Sequence, residues 1–241
     1  DSDVLHGLSY SYKSLGALAK SATEYDQARK YYEKAVENFE KVRKHKPDDS
    51  DVLHGLSYSY KSLGDLAKSA NDYEKAKEYY EKRLELWKKE YERKPDDYYA
   101  DYYALDSLSD SYESLGDLEK SADNYEQARE YYQERLELWK KALKLSPDNS
   151  KVLDSLSDSY EGLGNLEKSA NDYERARECY QESLEIWKKM LERIPDDHNM
   201  RYYFYIIPGY KAIYQWKMPD ELYLLRKLRD TYDKLADLSK E

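Results

Sequence analysis

The chain repeats itself with a period of about 48 residues. Pro47, Pro95, Pro147 and Pro195 recur at spacings of 48, 52 and 48 residues. Residues 3–16 and 51–64 share the same fourteen letters, DVLHGLSYSYKSLG, and residues 105–116 differ from residues 153–164 at one position. A fixed period of this size indicates stacked structural repeats, in which each unit buries its apolar face against its neighbours. The function of such a protein is to be sought first on its surface.

Within one repeat, the apolar residues predict two amphipathic helices. They fall at intervals of three and four over residues 53–70 and again over residues 73–87, and Pro95 ends the second series. A residue with a side-chain oxygen, followed three positions later by an acid, predicts a capping box at the start of each second helix. These pairs are Thr23/Asp26, Asn71/Glu74, Asp123/Glu126 and Asn171/Glu174.

Small residues recur at fixed places and predict close contacts between helices. A glycine inside a helix costs about 1 kcal/mol relative to alanine, so its repetition indicates that the space is needed. The glycines are Gly16, Gly64, Gly116 and Gly164 in the first helices, and the matching alanines of the second helices are Ala28, Ala76, Ala128 and Ala176.

The residues at these fixed positions resemble the tetratricopeptide repeat family. Repeat two gives Tyr60, Leu63-Gly64, Ala76, Tyr80 and Pro95, where the family has an aromatic residue, Leu-Gly, a small residue, an aromatic residue and a closing Pro. The resemblance extends over residues 3–195. It implies an all-α, right-handed α-solenoid of helix–turn–helix repeats, whose first helices line a concave groove. The late prolines depart from the family pattern and imply second helices longer than usual.

The repeat predicts how the chain is organised. We expect one solenoid domain over residues 1–199, followed by a degenerate fifth helix pair and a C-terminal capping helix over residues 200–241, because solenoids need a cap with a polar outer face. Residues 200–217 are the most aromatic part of the chain, and they either cover the end of repeat four or form an exposed patch. The four repeats are expected at about residues 1–47, 48–95, 96–147 and 148–195.

The groove positions, read off opposite the Leu/Tyr stripe, change character between the two halves of the chain. This contrast predicts a bipolar groove for an extended segment or helix of a protein partner, acidic against repeats one and two and basic against repeats three and four. The alternative is that the contrast reflects recent duplication. The predicted partner-binding residues are His6, Tyr10, Lys13, Lys20, His54, Tyr58, Lys61 and Lys68 in the first half, and Asp106, Asp110, Glu113, Asp117, Asp154, Asp158 and Glu161 in the second.

The junction between repeats two and three carries four extra residues and the letters DDYYADYYALD. Tyrosine is enriched at binding hot spots. The alternative is that these rings pack across a distorted joint between the repeats. The tyrosines concerned are Tyr98, Tyr99, Tyr102 and Tyr103.

Composition and charge exclude several classes of partner. The net charge is −10, with +1 on residues 1–95 and −11 on residues 96–241, which argues against nucleic-acid binding. No stretch of about 20 apolar residues is present, so no membrane partner is expected. The single cysteine, Cys179, excludes a disulfide framework and favours a cytoplasmic location. The start at Asp1, inside a repeat and without Met, indicates a processed or excised fragment.

The sequence gives no sign of an active site. No carboxylate pair near His6 and His54 is evident to complete a metal site, and Cys179 stands where the other repeats have tyrosine. We therefore expect no enzyme activity, catalytic residue, metal or cofactor. The carboxylate clamp of some family members is absent as well, because Ala17 and Ser62 follow Lys13 where the clamp has other residues.

These observations favour a non-catalytic scaffold that binds a protein or peptide in its groove. Two alternatives stay open at this point. One is a structural protein that self-associates head to tail through complementary charged surfaces, as a homo-oligomer. The other is a designed or consensus-derived repeat protein, given the near-identity of the repeats.

Overall fold

The computed structural model describes residues 2–93, 98–192 and 219–238, and these residues form nine α-helices and no strand. The first eight helices come as four pairs, one pair for each predicted repeat. The helix that starts repeat three is the longest, with 24 residues. The helices are α1 (Ser2–Ser21), α2 (Tyr25–Arg43), α3 (Ser50–Ser69), α4 (Tyr73–Arg93), α5 (Tyr98–Ser121), α6 (Tyr125–Leu145), α7 (Ser150–Ser169), α8 (Tyr173–Glu192) and α9 (Pro219–Leu238).

The turn inside each pair corrects the capping-box prediction. Asn71 does not cap α4; its backbone lies in the left-handed region with φ 59°. Its N–H bonds to the Lys68 carbonyl and the N–H of Asp72 bonds to the Ala67 carbonyl, so Asn71 closes the preceding helix in a Schellman motif. The carboxylate of Asp72 then accepts the Lys75 N–H and caps α4. Thr23, Asp123 and Asn171 have the same left-handed backbone.

The first helices of repeats two and four begin at a capping side chain that follows the recurrent proline. Asp49 Oδ1 accepts the N–H groups of Asp51 and Val52, and Asn149 Oδ1 accepts those of Lys151 and Val152. Two of the orphan donors at each helix start are thereby satisfied. The recurrent prolines of the sequence therefore mark the connections between repeats.

The chain divides into two compact units, and the first spans Asp1–Tyr131. In it, α1 packs against α2, α2 against α3, α3 against α4, and α4 against α5. The predicted small residues allow this packing. Ala28 is fully buried, and a methyl group at Gly16 would lie 2.7 Å from the ring of Tyr32. The ring of Tyr32 therefore occupies the space that the glycine leaves open.

The second unit spans Tyr132–Glu241. Here α7 packs against α8, and α9 packs against α8 as well. Trp187 of α8 is fully buried with Leu224 and Leu228 of α9. The predicted capping helix is thus present: α9 covers the second helix of the last pair with its apolar side.

Some predictions fall on residues that the structure does not describe. The aromatic stretch 200–217 lies outside the described residues, and so do the side chains of Tyr98 and Tyr99. Among the helices that are described, none is both long and apolar enough to cross a membrane.

Candidate partner-binding site

The predicted groove residues of repeats one and two form a cluster of rings around one lysine. The ammonium of Lys13 on α1 lies 4.3 Å from the centre of the Tyr10 ring and 5.4 Å from that of Tyr58 on α3. Tyr10 is held in place, since its hydroxyl donates to the Asp51 carbonyl at 2.8 Å and its ring packs edge-on against Phe39. Lys13 is therefore positioned by aromatic faces from two successive repeats.

A second group of rings continues the cluster toward repeat three. The His54 ring lies 4.2 Å from the Tyr103 ring of α5 and 5.7 Å from Trp87 of α4, centre to centre. Tyr103 is 53% exposed and Tyr58 is 46% exposed. Tyr103 thus packs across the joint between repeats two and three and also presents a face to solvent. We call Tyr10, Lys13, His54, Tyr58 and Tyr103 the aromatic–cation surface.

Burial shapes the charges of the aromatic–cation surface. It lowers the pKa of Lys13, although Asp51 acts in the opposite direction. It also lowers the pKa of His54, with Lys13 contributing to the shift and Asp51 opposing it. The surface therefore holds a neutral imidazole near pH 7 and an ammonium whose charge is incompletely compensated. An anion placed there would be stabilised.

The predicted groove residues Lys61 and Asp110 contact each other. Lys61 Nζ on α3 lies 2.7 Å from Asp110 Oδ2 on α5, and Arg83 Nη2 on α4 lies 2.7 Å from the same oxygen. Burial acts to raise the pKa of Asp110, but Arg83 and Lys61 outweigh it and hold the pKa below its ordinary value. Asp110, which stands where repeat two has Tyr58, thus forms an ion pair with Lys61 inside the first unit.

Other predicted groove residues of the first unit also interact within the protein. Lys20 Nζ lies 3.3 Å from Asp65 Oδ2, and Lys68 donates to the Asp117 carbonyl at 3.2 Å. Lys20 and Asp65 are each 39% exposed, so their ion pair is worth at most about 1 kcal/mol. Interactions within the protein also involve Asp106, Glu113 and Asp117.

In the second unit, α9 covers predicted groove positions of α7. Lys227 Nζ lies 2.5 Å from Asp158 Oδ1, and the Tyr223 hydroxyl donates to Asp154 at 3.0 Å. Burial, together with the neighbouring Asp158, raises the pKa of Asp154. The cations predicted to come from a partner are here supplied by the last helix of the chain itself.

Glu161 is the most enclosed of the predicted groove carboxylates. It is 8% exposed and accepts hydrogen bonds from Thr231 and Lys234 of α9 and from Ser183 and Trp187 of α8. Burial acts to raise its pKa, but the bonds from Lys234 and Thr231 outweigh it and the pKa lies below its ordinary value. Glu161 therefore joins three helices of the second unit.

The structure brings together one group that the sequence did not reveal. Ligand atoms of His6, Asp49 and Asp51 lie within 4.8 Å of one another. Asp49 already caps α3, and Lys13 lies near enough to Asp51 to interact with it. Asp49 is thus already engaged at the start of α3, and we assign no metal to the group. Sequence reasoning missed the group because it compared His6 with His54 and not with the start of α3.

Cys179 packs between helices and is not set up as a nucleophile. Burial raises the pKa of its thiol to about 11, and neighbouring Glu167 acts in the same direction. A thiol with so high a pKa carries little thiolate at neutral pH. The side chain replaces the tyrosine of the other repeats, as the sequence predicted.

Comparison with known proteins identifies the repeat. The sequence profile of the tetratricopeptide repeat matches residues 7–89 and 107–189, more than half of the chain. The chain belongs to the tetratricopeptide repeat family. Its all-α pairs of helices are the repeats of that family, and the fold is an α-solenoid of this type. A search of curated protein sequences gave no match.

Solved structures share the fold of this tetratricopeptide repeat protein at low sequence identity. BtubC (BKLC) from P. vanneervenii is 20% identical with a TM-score of 0.56, and the match covers 98% of this chain and 81% of that one. The apo form of RapI is 13% identical with a TM-score of 0.55, over 96% of this chain and 69% of the other. These similarities establish the fold alone.

Proposed function

We propose that this tetratricopeptide repeat protein is a non-catalytic interaction protein whose partner binds at the aromatic–cation surface. The bound segment carries a carboxylate that pairs with Lys13, next to an aromatic or apolar side chain that packs on Tyr58 and Tyr103. We expect a cytoplasmic setting, because Cys179 is an unpaired thiol in a packed position.

The observation that carries this proposal is the position of Lys13. Its ammonium lies over the Tyr10 and Tyr58 rings, and burial disfavours its charge. A carboxylate from a partner would restore the missing compensation in a site that already excludes part of the water. The exposed rings beside it supply rigid apolar area, and tyrosines of this kind are common at binding hot spots.

We restrict the proposed binding site to the first half of the predicted bipolar groove. Asp158 and Glu161 are engaged by α9, so we do not assign a basic partner segment to repeat four. Lys61 is engaged by Asp110 and is a weaker candidate than Lys13. The same contacts disfavour head-to-tail self-association by charge, because that association needs the carboxylates of the C-terminal half to be available.

Selection from a random peptide library tests this proposal. The immobilised chain should select peptides in which Asp or Glu stands within a few positions of Trp, Tyr, Phe or Leu. Binding of a selected peptide should weaken with added salt, since the pair with Lys13 is partly exposed. Lys13→Glu should reduce its affinity by at least about tenfold, which corresponds to 1.4 kcal/mol.

Two further variants separate the charge of Lys13 from other effects. Lys13→Met keeps the apolar stem and should lose most of the affinity that Lys13→Glu loses. Lys30→Glu makes the same charge change on the exposed side of α2 and should leave affinity unchanged. Selected peptides without acidic residues, or equal affinities for the Lys13 and Lys30 variants, would show that this surface is not the binding site.

A further inference from the structure

Two helices with the same sequence are buried to very different extents. Residues 3–16 of α1 and 51–64 of α3 are identical. On α3, Val52, Leu56, Leu63 and Leu66 are at most 4% exposed. On α1, the equivalent residues Val4, Leu8, Leu15 and Leu18 are 65%, 41%, 39% and 68% exposed, respectively. We call these four residues and Gly7 the α1 outer face.

The chain itself shows what kind of partner fits such a face. On α3 the face is covered by α2. Leu63 and Leu66 form a buried cluster with Ala28 and Tyr32 of α2, together with Ala19 of α1. The Tyr60 hydroxyl adds a polar contact by donating to Glu40 of α2 at 2.9 Å. An amphipathic helix with small residues, an aromatic residue and an acid thus matches this sequence.

The most specific contact is a ring that enters at a glycine. Phe39 of α2 is fully buried, and a methyl group at Gly55 would lie 2.6 Å from its Cε1 and Cε2 atoms. The Phe39 ring therefore occupies the space that a side chain at position 55 would fill. At Gly7, the equivalent position of α1, a methyl group would meet nothing within 4 Å. The notch that accepts Phe39 on α3 is thus repeated on α1 and stands open.

We propose that the α1 outer face is a second binding site, which takes an amphipathic helix of a partner protein patterned like α2. Its aromatic side chain enters the notch at Gly7. The next residue of the partner helix is acidic and accepts a hydrogen bond from the Tyr12 hydroxyl, as Glu40 accepts one from the Tyr60 hydroxyl. This site is independent of the aromatic–cation surface.

A second copy of the chain is a poorer occupant. Its own α2 is not available, because Phe39 is fully buried against α3. Two α1 outer faces placed together would bring two notches into contact with no aromatic side chain to enter either of them. We therefore assign the face to a helix of a different protein that is patterned like α2.

The experiment uses α2 itself as the probe. A fluorescein-labelled peptide of residues 24–44 is titrated with the full chain, and its anisotropy is followed. We expect saturable binding. A Phe39→Ala peptide should bind at least about tenfold more weakly. The Gly7→Ala protein should lose affinity to the same extent, because the added methyl group closes the notch.

Control variants separate docking from folding. Gly7→Ala leaves the helix intact and has no neighbour to disturb, so its melting temperature should not fall. Ser21→Ala changes an exposed residue of the same helix whose equivalent, Ser69, is also exposed, and should bind the peptide normally. The binding that depends on Gly7 should persist in Lys13→Glu, which distinguishes this site from the aromatic–cation surface.

Three outcomes would overturn the proposal. One is the absence of saturable binding at millimolar peptide. Another is binding that Gly7→Ala leaves unchanged, which would mean that Gly7 is a copy of Gly55 without a role of its own. The third is dimerisation of the chain, seen by light scattering and abolished by Gly7→Ala, which would make a second copy the occupant.

Discussion

The Nζ atom of Lys61 and the Oδ2 atom of Asp110 lie 2.7 Å apart on the first helices of successive repeats. Arg83, which is 5% exposed, approaches the same oxygen. A basic residue from the first half of the groove and an acidic residue from the second half thus meet inside the first unit. The charge contrast between the two halves therefore has a structural consequence whatever partner the protein binds.

Asp110→Asn should lower the free energy of unfolding by about 2 kcal/mol, because it leaves the buried guanidinium of Arg83 without its carboxylate. Lys61→Met should cost less than about 1 kcal/mol, since Lys61 is 40% exposed. Urea unfolding of the two variants checks this. Equal losses would mean that Arg83 is stabilised by other groups.

The same pair predicts a dependence on pH. The pKa of Asp110 is lowered in the folded protein from a reference value of 3.8. The carboxylate therefore contributes stability above that value, and the contribution is lost as the pH falls through the folded pKa. The difference in melting temperature between wild type and Asp110→Asn should be constant from pH 7 to pH 5 and shrink below pH 4. A difference that does not shrink between pH 4 and pH 2 would contradict the ion pair.

Gly55→Ala and Gly7→Ala should change stability in opposite directions. At Gly55 the methyl group collides with the Phe39 ring, which should cost about 1–3 kcal/mol. At Gly7 it meets open space, so the better helix propensity of alanine should add up to about 1 kcal/mol. Urea unfolding of both variants under one set of conditions makes the comparison. Destabilisation by both would show that α1 is already covered at Gly7.

Thr23→Asn should stabilise the protein by about 1 kcal/mol. Thr23 is β-branched and has φ 62°, whereas asparagine stands at two of the three equivalent turns and tolerates this backbone. The reciprocal change, Asn71→Thr, should destabilise by a similar amount. Thermal unfolding of the two variants tests the pair. If both substitutions changed the stability in the same direction, side-chain contacts and not backbone strain would decide the effect.

Glu161→Gln should weaken the docking of α9. The amide cannot compensate the ammonium of Lys234, and the loss should be about 2 kcal/mol. Hydrogen exchange of the α9 amides should accelerate more than that of α7. Glu182→Gln, an exposed change on α8, is the control and should leave exchange unaltered. If the α9 amides of Glu161→Gln exchanged no faster, the apolar contacts with Trp187 would be sufficient to hold α9 in place.

Cys179 should react slowly with iodoacetamide in the folded protein. Its pKa of about 11, against a reference of 9.0, reduces the thiolate fraction at pH 9 roughly fifty-fold. Because the unfolded thiol ionises first, the stability that the neutral thiol contributes is present below pH 9 and is lost as the pH rises toward 11. Alkylation in urea provides the control. Similar rates in both states would contradict the packed position.

Much of the local structure followed from the repeat. The helix pairs, the close contacts at Gly16 and Ala28 and the cap of the last pair were predicted, because small and apolar residues recur with helical spacing. The starts of the second helices were misplaced by one residue. Asn71 suits both a helix cap and a left-handed turn, and the short connection gives it to the end of the preceding helix.

The sequence by itself determined the family, the helix pairs and the charge contrast between the halves, since each is a local pattern repeated along the chain. Tertiary structure decided which charges pair with each other and which faces stay exposed. Lys61 meets Asp110, and Glu161 meets Lys234, while Val4 stays exposed although its copy Val52 is buried. Identical letters acquire different environments because burial depends on the neighbouring helix and not on the residue.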